Sequence, residues 1–239
     1  VCKIWEKIIL SLFFSICMYA VLICDVRKSR KIENWEKVVE KIKRVLYEVN
    51  EKFRESIVGS FKMTVGDEFQ GVLEFPERAY GIYKFIKYHV PVSFYCGVGI
   101  GEVEMPVEDY GGARGNAFYN ARDAIEECKK MKRVFFLKSP SKEVDDIVNT
   151  IAYLIECIEN TWTERQREVV KFHISHPEMS YEEIGRVFGI TKQGVSGILK
   201  RAKWDAIENG IEVIESVLKY VNSKKFTSKS KHHDVYQGM

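Results

Sequence analysis

Two aspartates follow apolar segments at positions where carboxylates could hold a metal ion. Asp25 ends the apolar segment 19–24, and Asp67 lies in a turn between two other short apolar segments. If those strands are neighbours, both carboxylates project from one edge of the same sheet. Carboxylates that lie close together repel each other unless a cation separates them, and oxygen ligands suit Mg²⁺ or Mn²⁺ with a bound phosphate. The alternative is that both residues only cap turns, where Asp is common.

A second set of residues, in the last third of the sequence, has the pattern of short capped helices. Ser180 and Glu183 form the signature of a capped helix start, and Gly189 supplies the positive φ angle of a tight turn. Thr191 then caps a further helix whose first turn is polar. Two short helices joined by a glycine turn are typical of a helix-turn-helix, which places its second helix in the major groove. The alternative is a docking module for another protein.

Composition agrees with a chain of two small domains. The 239 residues include 37 Lys and Arg against 34 Asp and Glu, and 46% are hydrophobic, which excludes a disordered or fibrous protein. The whole basic excess lies in residues 161–239, where it suits a polyanionic partner. The six cysteines are scattered without a CxxC pair, which argues against a zinc site or a disulfide framework and indicates a reducing, cytoplasmic compartment. Cys24 and Cys96 fall within apolar runs, so we expect both in the core.

The elements that must position Asp25 and Asp67 alternate between strands and helices. Apolar residues recur at helical spacing after Asn34 and again after Pro76, while shorter β-branched and aromatic runs predict strands. The pattern predicts an α/β domain of βαββαβ-like order over residues 18–138 and a linking helix in residues 139–160. The predicted strands are residues 19–24, 60–65, 70–75, 92–100 and 133–138, and further helices are predicted over residues 117–130 and 141–160.

Three alternate glycines mark the predicted strand 92–100. Gly97, Gly99 and Gly101 fall on one face of that strand, because successive residues point to opposite faces. A strand face without side chains permits close approach either by a helix or by a nucleotide base. The pattern alone does not choose between these two neighbours.

The first residues carry an apolar run. Residues 8–24 have no charge and follow Lys3 and Lys7, which is typical of a signal-peptide core or of a membrane span slightly shorter than the required ~20 residues. Because residues 19–24 are needed as a buried strand, we assign residues 1–17 to an apolar N-terminal extension and expect no contact with a membrane. A membrane anchor is the alternative.

Four segments in order resemble the SatD family: residues 19–29 (YAVLICDVRKS), 64–71 (TVGDEFQG), 97–102 (GVGIGE) and 115–122 (GNAFYNAR). That family looks like a distant branch of the class III nucleotide cyclase and GGDEF palm-type fold. The resemblance implies an α/β (α+β, ferredoxin-like) sheet covered by helices, followed here by a small all-α domain. It also implies that Asp25 and Asp67 bind Mg²⁺ or Mn²⁺ with a purine nucleoside triphosphate. The nucleotide contacts that it implies are Val26, Ser29, Gly66, Gly99 and Arg122.

The chain departs from the cyclase pattern at three positions. Met63 stands where purine cyclases carry a base-selecting Lys, and Tyr119 and Asp123 stand where they carry an Asn and an Arg. Asn120 and Arg122 lie beside those positions but out of register, and a shift of one residue moves a helical side chain about 100° around the axis. These departures favour binding of a metal–nucleotide over cyclase activity.

Residues 162–204 closely resemble region 4 of bacterial sigma factors, most of all in residues 181–191 (YEEIGRVFGIT). By that resemblance a helix-turn-helix domain occupies residues 161–221, and the start of its third helix faces the major groove. Thr191 and Arg201 are placed to contact phosphates, which position the protein without reading sequence. The side chains predicted to face the groove are Lys192, Gln193, Ser196 and Lys200.

Beyond this unit, an amphipathic helix continues from Trp204 to Val221. Its apolar face exceeds what a three-helix unit needs, so it packs either on the first domain or on a second copy of the chain, and we expect a homodimer. Residues 222–239 are predicted to be a disordered basic tail, and the paired His232 and His233 are only a weak metal signal.

From these observations we expect a cytoplasmic, DNA-binding regulator in which a cyclase-like domain senses a metal–nucleotide ligand. The alternative is a metal-dependent nucleotidyl cyclase-type enzyme that makes or alters a nucleotide messenger, with the second domain controlling its location.

Overall fold

The computed structural model describes residues 18–104 and 114–228, with side chains as far as residue 220. The predictions for the extension 1–17 and for residues 229–239 lie outside this part of the chain. The strands are β1 (Tyr19–Val26), β2 (Ile57–Met63), β3 (Glu68–Leu73), β4 (Phe94–Gly101) and β5 (Phe135–Lys138). The α-helices are α1 (Trp35–Lys52), α2 (Ala79–His89), α3 (Asn116–Met131), α4 (Lys142–Asn160), α5 (Glu164–Ser175), α6 (Tyr181–Phe188), α7 (Lys192–Arg201) and α8 (Trp204–Ser228).

Helix α8 is longer than predicted. It extends to Ser228, so the first residues of the predicted disordered tail, 222–228, are helical. The physical reason is that no Gly or Pro interrupts the chain between residues 221 and 228. None of the helices in the described residues is both long and apolar enough to cross a membrane.

The five strands described form one sheet in the order β2-β3-β1-β4-β5. β1 pairs antiparallel with β3 and with β4, and β5 lies parallel to β4. Strands β1 to β4 and the helices between them follow the predicted βαββαβ order. A central strand covered on both faces is expected to be apolar throughout, and residues 20–24 of β1 are all buried.

Helices cover both faces of this sheet. Leu22 and Cys24 share the main core with α1 and α2, whereas Val21 and Ile23 share a smaller core with α3, because successive residues of a strand point to opposite faces. Cys96 is buried as well, so the prediction of both cysteines in the core is confirmed. The predicted mixed α/β class is also confirmed.

Helix α3 lies directly on β4. A Cβ atom at Gly97 would come within 2.5 Å of the Ala121 carbonyl oxygen, and one at Gly99 would overlap the backbone of Ala117 and Ala121. Gly101 meets the start of the same helix. The glycines therefore make room for a helix. The backbone of α3 occupies the space beside Gly99, and the nucleotide contact predicted for this residue stays a prediction.

Both outer strands of the sheet are tied to a helix by an asparagine. The Asn50 side chain of α1 donates to the Phe61 carbonyl oxygen at 2.9 Å and accepts from the Phe61 amide at 2.8 Å. Asn149 of α4 makes the same pair of bonds with Leu137, at 2.9 and 2.7 Å. These bonds satisfy backbone groups that an edge strand would otherwise leave open to pairing with another chain.

A buried carboxylate fixes the junction between α2 and α4. Glu159 is 3% exposed and accepts hydrogen bonds from Lys84, Lys87 and Tyr88 of α2; we call these four residues the Glu159 cluster. Burial alone raises the pKa of Glu159, but Lys84 and Lys87 outweigh it and hold the pKa at about 2. Burial lowers the pKa of Lys84 to about 7, although Glu159 acts in the opposite direction.

The C-terminal helices continue the same apolar core. The Trp162 indole donates to the Ala202 carbonyl oxygen at 2.8 Å and stacks on Tyr88. A Cβ atom at Gly210 would lie 3.1 Å from the Ile155 side chain, so α8 packs closely on α4. Helix α8 also contacts α2 and the turn Pro76–Arg78, so it packs on the first domain, one of its two predicted neighbours.

We predict that Gly99→Ala destabilises the protein by about 3 kcal/mol or more, because the new methyl group must displace the backbone of α3. Urea unfolding measures the change. Gly194→Ala is the matched control, since its Cβ would meet only ordinary contacts at 3.4 Å or beyond, and it should leave stability unchanged or raise it by up to about 1 kcal/mol. An unchanged urea midpoint for Gly99→Ala would show that α3 does not lie so close to β4.

We predict that Glu159→Gln destabilises the protein by about 3–5 kcal/mol at pH 6, because Lys84 would then be buried without an opposite charge. The folded-state pKa of Glu159 is lowered from 4.5 to about 2, so its contribution is present above pH 4.5 and is lost as the pH falls toward 2. The difference between wild type and variant should shrink over that pH range. Asp146→Asn, which removes an exposed ion pair on the same helix, should cost less than about 1 kcal/mol.

Candidate functional site

The two predicted metal-binding aspartates lie at the same end of the sheet. Asp25 pairs with Glu68 across β1 and β3, and the Val26 amide donates to the Asp67 carbonyl oxygen at 3.2 Å. The condition for both carboxylates to project from one edge of the sheet, that their strands are neighbours, is therefore met. Both aspartates line one cavity of about 370 Å³, together with Val26, residues 27–31 and Tyr95.

The loop after β1 gives this cavity a basic wall. Lys28 adopts the left-handed conformation, with φ 56°, and Ser29–Lys31 form a single 3₁₀ turn. Four of the five residues from 27 to 31 are Lys or Arg. The Arg27 guanidinium lies over the Tyr95 ring, 4.9 Å from its centroid, and the Arg27 amide donates to the Ser93 carbonyl oxygen at 2.9 Å.

Each aspartate has a partner from the chain itself. The Lys129 ammonium lies 2.9 Å from Oδ2 of Asp25, and the Ser29 hydroxyl donates to Asp67. Partial burial opposes the charge on Lys129, but its hydrogen bonds to Asp25 and Glu126 outweigh this effect and raise its pKa. A metal ion that uses this oxygen of Asp25 must therefore displace Lys129.

Sequence reasoning did not identify Lys129. A signal for it exists, since Lys129 follows Arg122 by two helical turns and so shares a face of α3 with it. Arg122 reaches the same end of the sheet, where its guanidinium lies 2.7 and 2.8 Å from the two carboxylate oxygens of Glu68. Two cations on one face of a helix are expected to form ion pairs when that helix covers strands that end in carboxylates.

The predicted nucleotide contacts separate into two groups. Val26 and Ser29 line the cavity. Gly66, with φ 76° and open space around it, and Arg122, held by Glu68, lie outside its lining. Gly99 is covered by α3.

Tyr119 and Asp123, which depart from the cyclase pattern, and the adjacent Asn120 all lie outside the lining of the cavity. Asn120 donates to the Ile100 carbonyl oxygen at 2.8 Å, which ties α3 to the end of β4. Tyr119 is 65% exposed, and Asp123 pairs with Lys138 at 3.0 Å. None of these three side chains lines the cavity.

The donor set of the cavity fits a metal only in part. Two carboxylates supply the oxygen ligands that Mg²⁺ and Mn²⁺ prefer. In residues 18–104 and 114–228 no group of three or more His, Cys, Asp or Glu side chains is placed to hold a metal ion. Asp25 and Asp67 could therefore hold such an ion together with ligands from outside the chain, such as phosphate oxygens and water.

A second candidate site is the pair of short helices α6 and α7. Ser180 and Glu183 form a complete capping box, and the Thr191 hydroxyl accepts from the Gly194 amide at 3.1 Å, so the predicted caps are confirmed. Gly189 has φ 65° and ends α6 as predicted. A Cβ atom at Gly185 would lie 2.5 Å from the Ile190 carbonyl oxygen, so this glycine also permits the tight turn.

Helix α7 has one buried and one exposed face. Val195, Ile198 and Leu199 are buried against the neighbouring helices. The six residues predicted to contact DNA, on the other face, are all exposed: Thr191, Lys192, Gln193, Ser196, Lys200 and Arg201. Arg165, which was not predicted, braces the turn by donating to the Phe188 carbonyl oxygen at 2.8 Å.

Comparison with known proteins assigns the chain to a family. The model of the SatD family matches residues 19–208, which is well over half of the 239 residues. No curated protein matches the chain. The match begins with β1 and ends within α8, so it includes both candidate sites. The chain is therefore a member of the SatD family.

Proposed function

We propose that this protein is a DNA-binding transcription regulator in which α6 and α7 form a helix-turn-helix. The observation that carries the proposal is the division of α7 into a buried apolar face and an exposed polar face. An exposed, polar second helix after a glycine turn is the form in which such units meet the major groove.

Charge on α7 supports a nucleic-acid partner over a protein partner. Residues 191–203 include Lys192, Lys200, Arg201 and Lys203 and no Asp or Glu. Cations supply the sequence-independent part of DNA affinity by releasing counterions from phosphates. Gln193 and Ser196 lie between these cations and can donate to or accept from base edges.

We further propose that the α/β unit is a cyclase palm-like domain that binds a metal–nucleoside triphosphate as a signal. The supporting observation is that two carboxylates and a basic loop line the same cavity. The carboxylates of Asp25 and Asp67 would hold Mg²⁺ or Mn²⁺, and the loop 27–31 would contact the phosphates. The bound metal supplies charge neutralisation between the carboxylates and the phosphates.

The contacts of Asn120 and Arg122 favour sensing of the nucleotide over cyclase catalysis. Asn120 is engaged by the backbone of β4, and Arg122 is paired with Glu68. Neither side chain is free to stabilise a reacting phosphate at the cavity. A nucleotidyl cyclase-type enzyme is the second candidate function, because the two aspartates do share a cavity.

We predict that Gln193→Ala relaxes sequence preference by about 1–3 kcal/mol, because it removes a contact to a base edge. Arg201→Ala should weaken binding to all sequences alike and reduce the salt slope by about 0.9, because it removes a phosphate contact. The measurement is fluorescence anisotropy on duplexes selected from a random library. Lys219→Ala, an exposed cation on α8, is the control and should change neither quantity. Wild-type affinity in a Lys200→Ala/Arg201→Ala variant at low salt would contradict the proposal.

We predict that Mn²⁺ with ATP or GTP raises the Tm of the wild type by mass action, and that Asp67→Asn abolishes this rise because it removes one of two anionic ligands. Lys129→Met should lower the Kd for the metal–nucleotide, because Asp25 is then free to bind the ion. Asp146→Asn, on an exposed face of α4, is the matched control and should respond like the wild type.

No pyrophosphate or cyclic nucleotide should be released during this binding. Steady release of either product by the pure wild-type protein, together with its loss in Asp25→Asn, would contradict the sensor function and support the enzyme function. An unchanged Tm with either nucleotide would contradict both functions for this cavity.

A further inference from the structure

A second cavity lies between the α/β unit and α5. Its volume is about 350 Å³, which is within the range of small-molecule sites, roughly 300–1,000 Å³. Helix α2 and the segment 90–94, which leads into β4, form one side, and Trp162 and α5 form the other. This junction cavity shares no lining residue with the cavity of Asp25 and Asp67.

The charged lining of the junction cavity has a cationic excess. Lys87, Arg167 and Lys171 line it, against one acidic residue, Glu159, which is already engaged within the Glu159 cluster. Arg167 and Lys171 are exposed and lie one helical turn apart on α5. In the described part of the chain, neither of them forms an ion pair with an acidic side chain.

Most of the remaining lining is apolar, and part of it is formed by flat aromatic rings. Val90, Pro91 and Val92 line the cavity on the side of the α/β unit. Tyr88 and Trp162 stack with their planes 15° apart and their centroids 6.4 Å apart, so two parallel rings border the space. A ligand that satisfies both the cations and the rings carries an anionic group on a flat apolar body.

We propose that the junction cavity is a binding site for a small aromatic anion, with a carboxylate or a phosphate ester as its charged group. The anionic group lies between Arg167 and Lys171, and the aromatic body lies against Trp162 and the segment 90–92. Such a ligand contacts the α/β unit and α5 at once, so its binding stabilises their association. The proposal rests on the junction cavity and does not depend on DNA binding or on the aspartates.

The test uses the full chain with benzoate and phenyl phosphate as probes, in titration calorimetry and thermal unfolding. Inorganic phosphate and benzyl alcohol are the matched controls, since the first lacks the ring and the second lacks the charge. We expect the aromatic anions to bind at least tenfold more tightly than either control and to raise the Tm. The tighter of the two probes identifies the charged group as carboxylate or phosphate.

An Arg167→Gln/Lys171→Gln variant should lose at least tenfold in affinity for the probes. Both positions are exposed, so its Tm without a probe should match the wild type. Lys219→Gln, on α8, should bind the probes like the wild type. Full affinity in the double variant, or equal binding of benzyl alcohol or inorganic phosphate by the wild type, would overturn the proposal. DNA affinity is measured separately, so failure here is distinct from failure of the helix-turn-helix.

Discussion

The Glu159 carboxylate, 3% exposed and bound by Lys84, Lys87 and Tyr88, fixes how the two halves of the chain meet. A buried charge that loses its partners costs several kcal/mol, so α2 and the end of α4 have one relative position. Trp162 follows immediately and is held there by Tyr88 and by the Ala202 carbonyl oxygen. The placement of α5, and with it the junction cavity, follows from these contacts of Glu159 and Trp162 together.

A second constraint acts on the opposite face of the sheet. The absence of side chains at Gly97 and Gly99 lets the backbone of α3 lie against β4, and the helix then carries Lys129 to Asp25 and Arg122 to Glu68. The chemistry at the sheet end is therefore set by a packing contact some distance from it. The chain supplies its own cation to Asp25, so a metal ion at this carboxylate would have to compete with the Lys129 ammonium.

Much of this architecture could be predicted because it depends on local patterns. Hydrophobic periodicity predicted the strands and helices, and capping residues placed the starts of α6 and α7 correctly. Hydrophobic periodicity does not identify the partners of Asp25 and Glu159. Helical spacing places Lys129 on one face of α3 with Arg122, but only the tertiary fold brings Lys129 to Asp25 and Lys84 to Glu159. Periodicity likewise could not decide between a helix and a base beside Gly99.

Helix α8 supplies the last part of the core. Ile214 and Leu218 are fully buried, and the helix packs on α2, on α4 and on the turn Pro76–Arg78. During synthesis the α/β unit emerges first, because chains are made from the N-terminal end. Its surface beneath α8 then stays open to water until residues 204–218 have left the ribosome. The nascent chain therefore exposes this apolar surface until α8 has been synthesised.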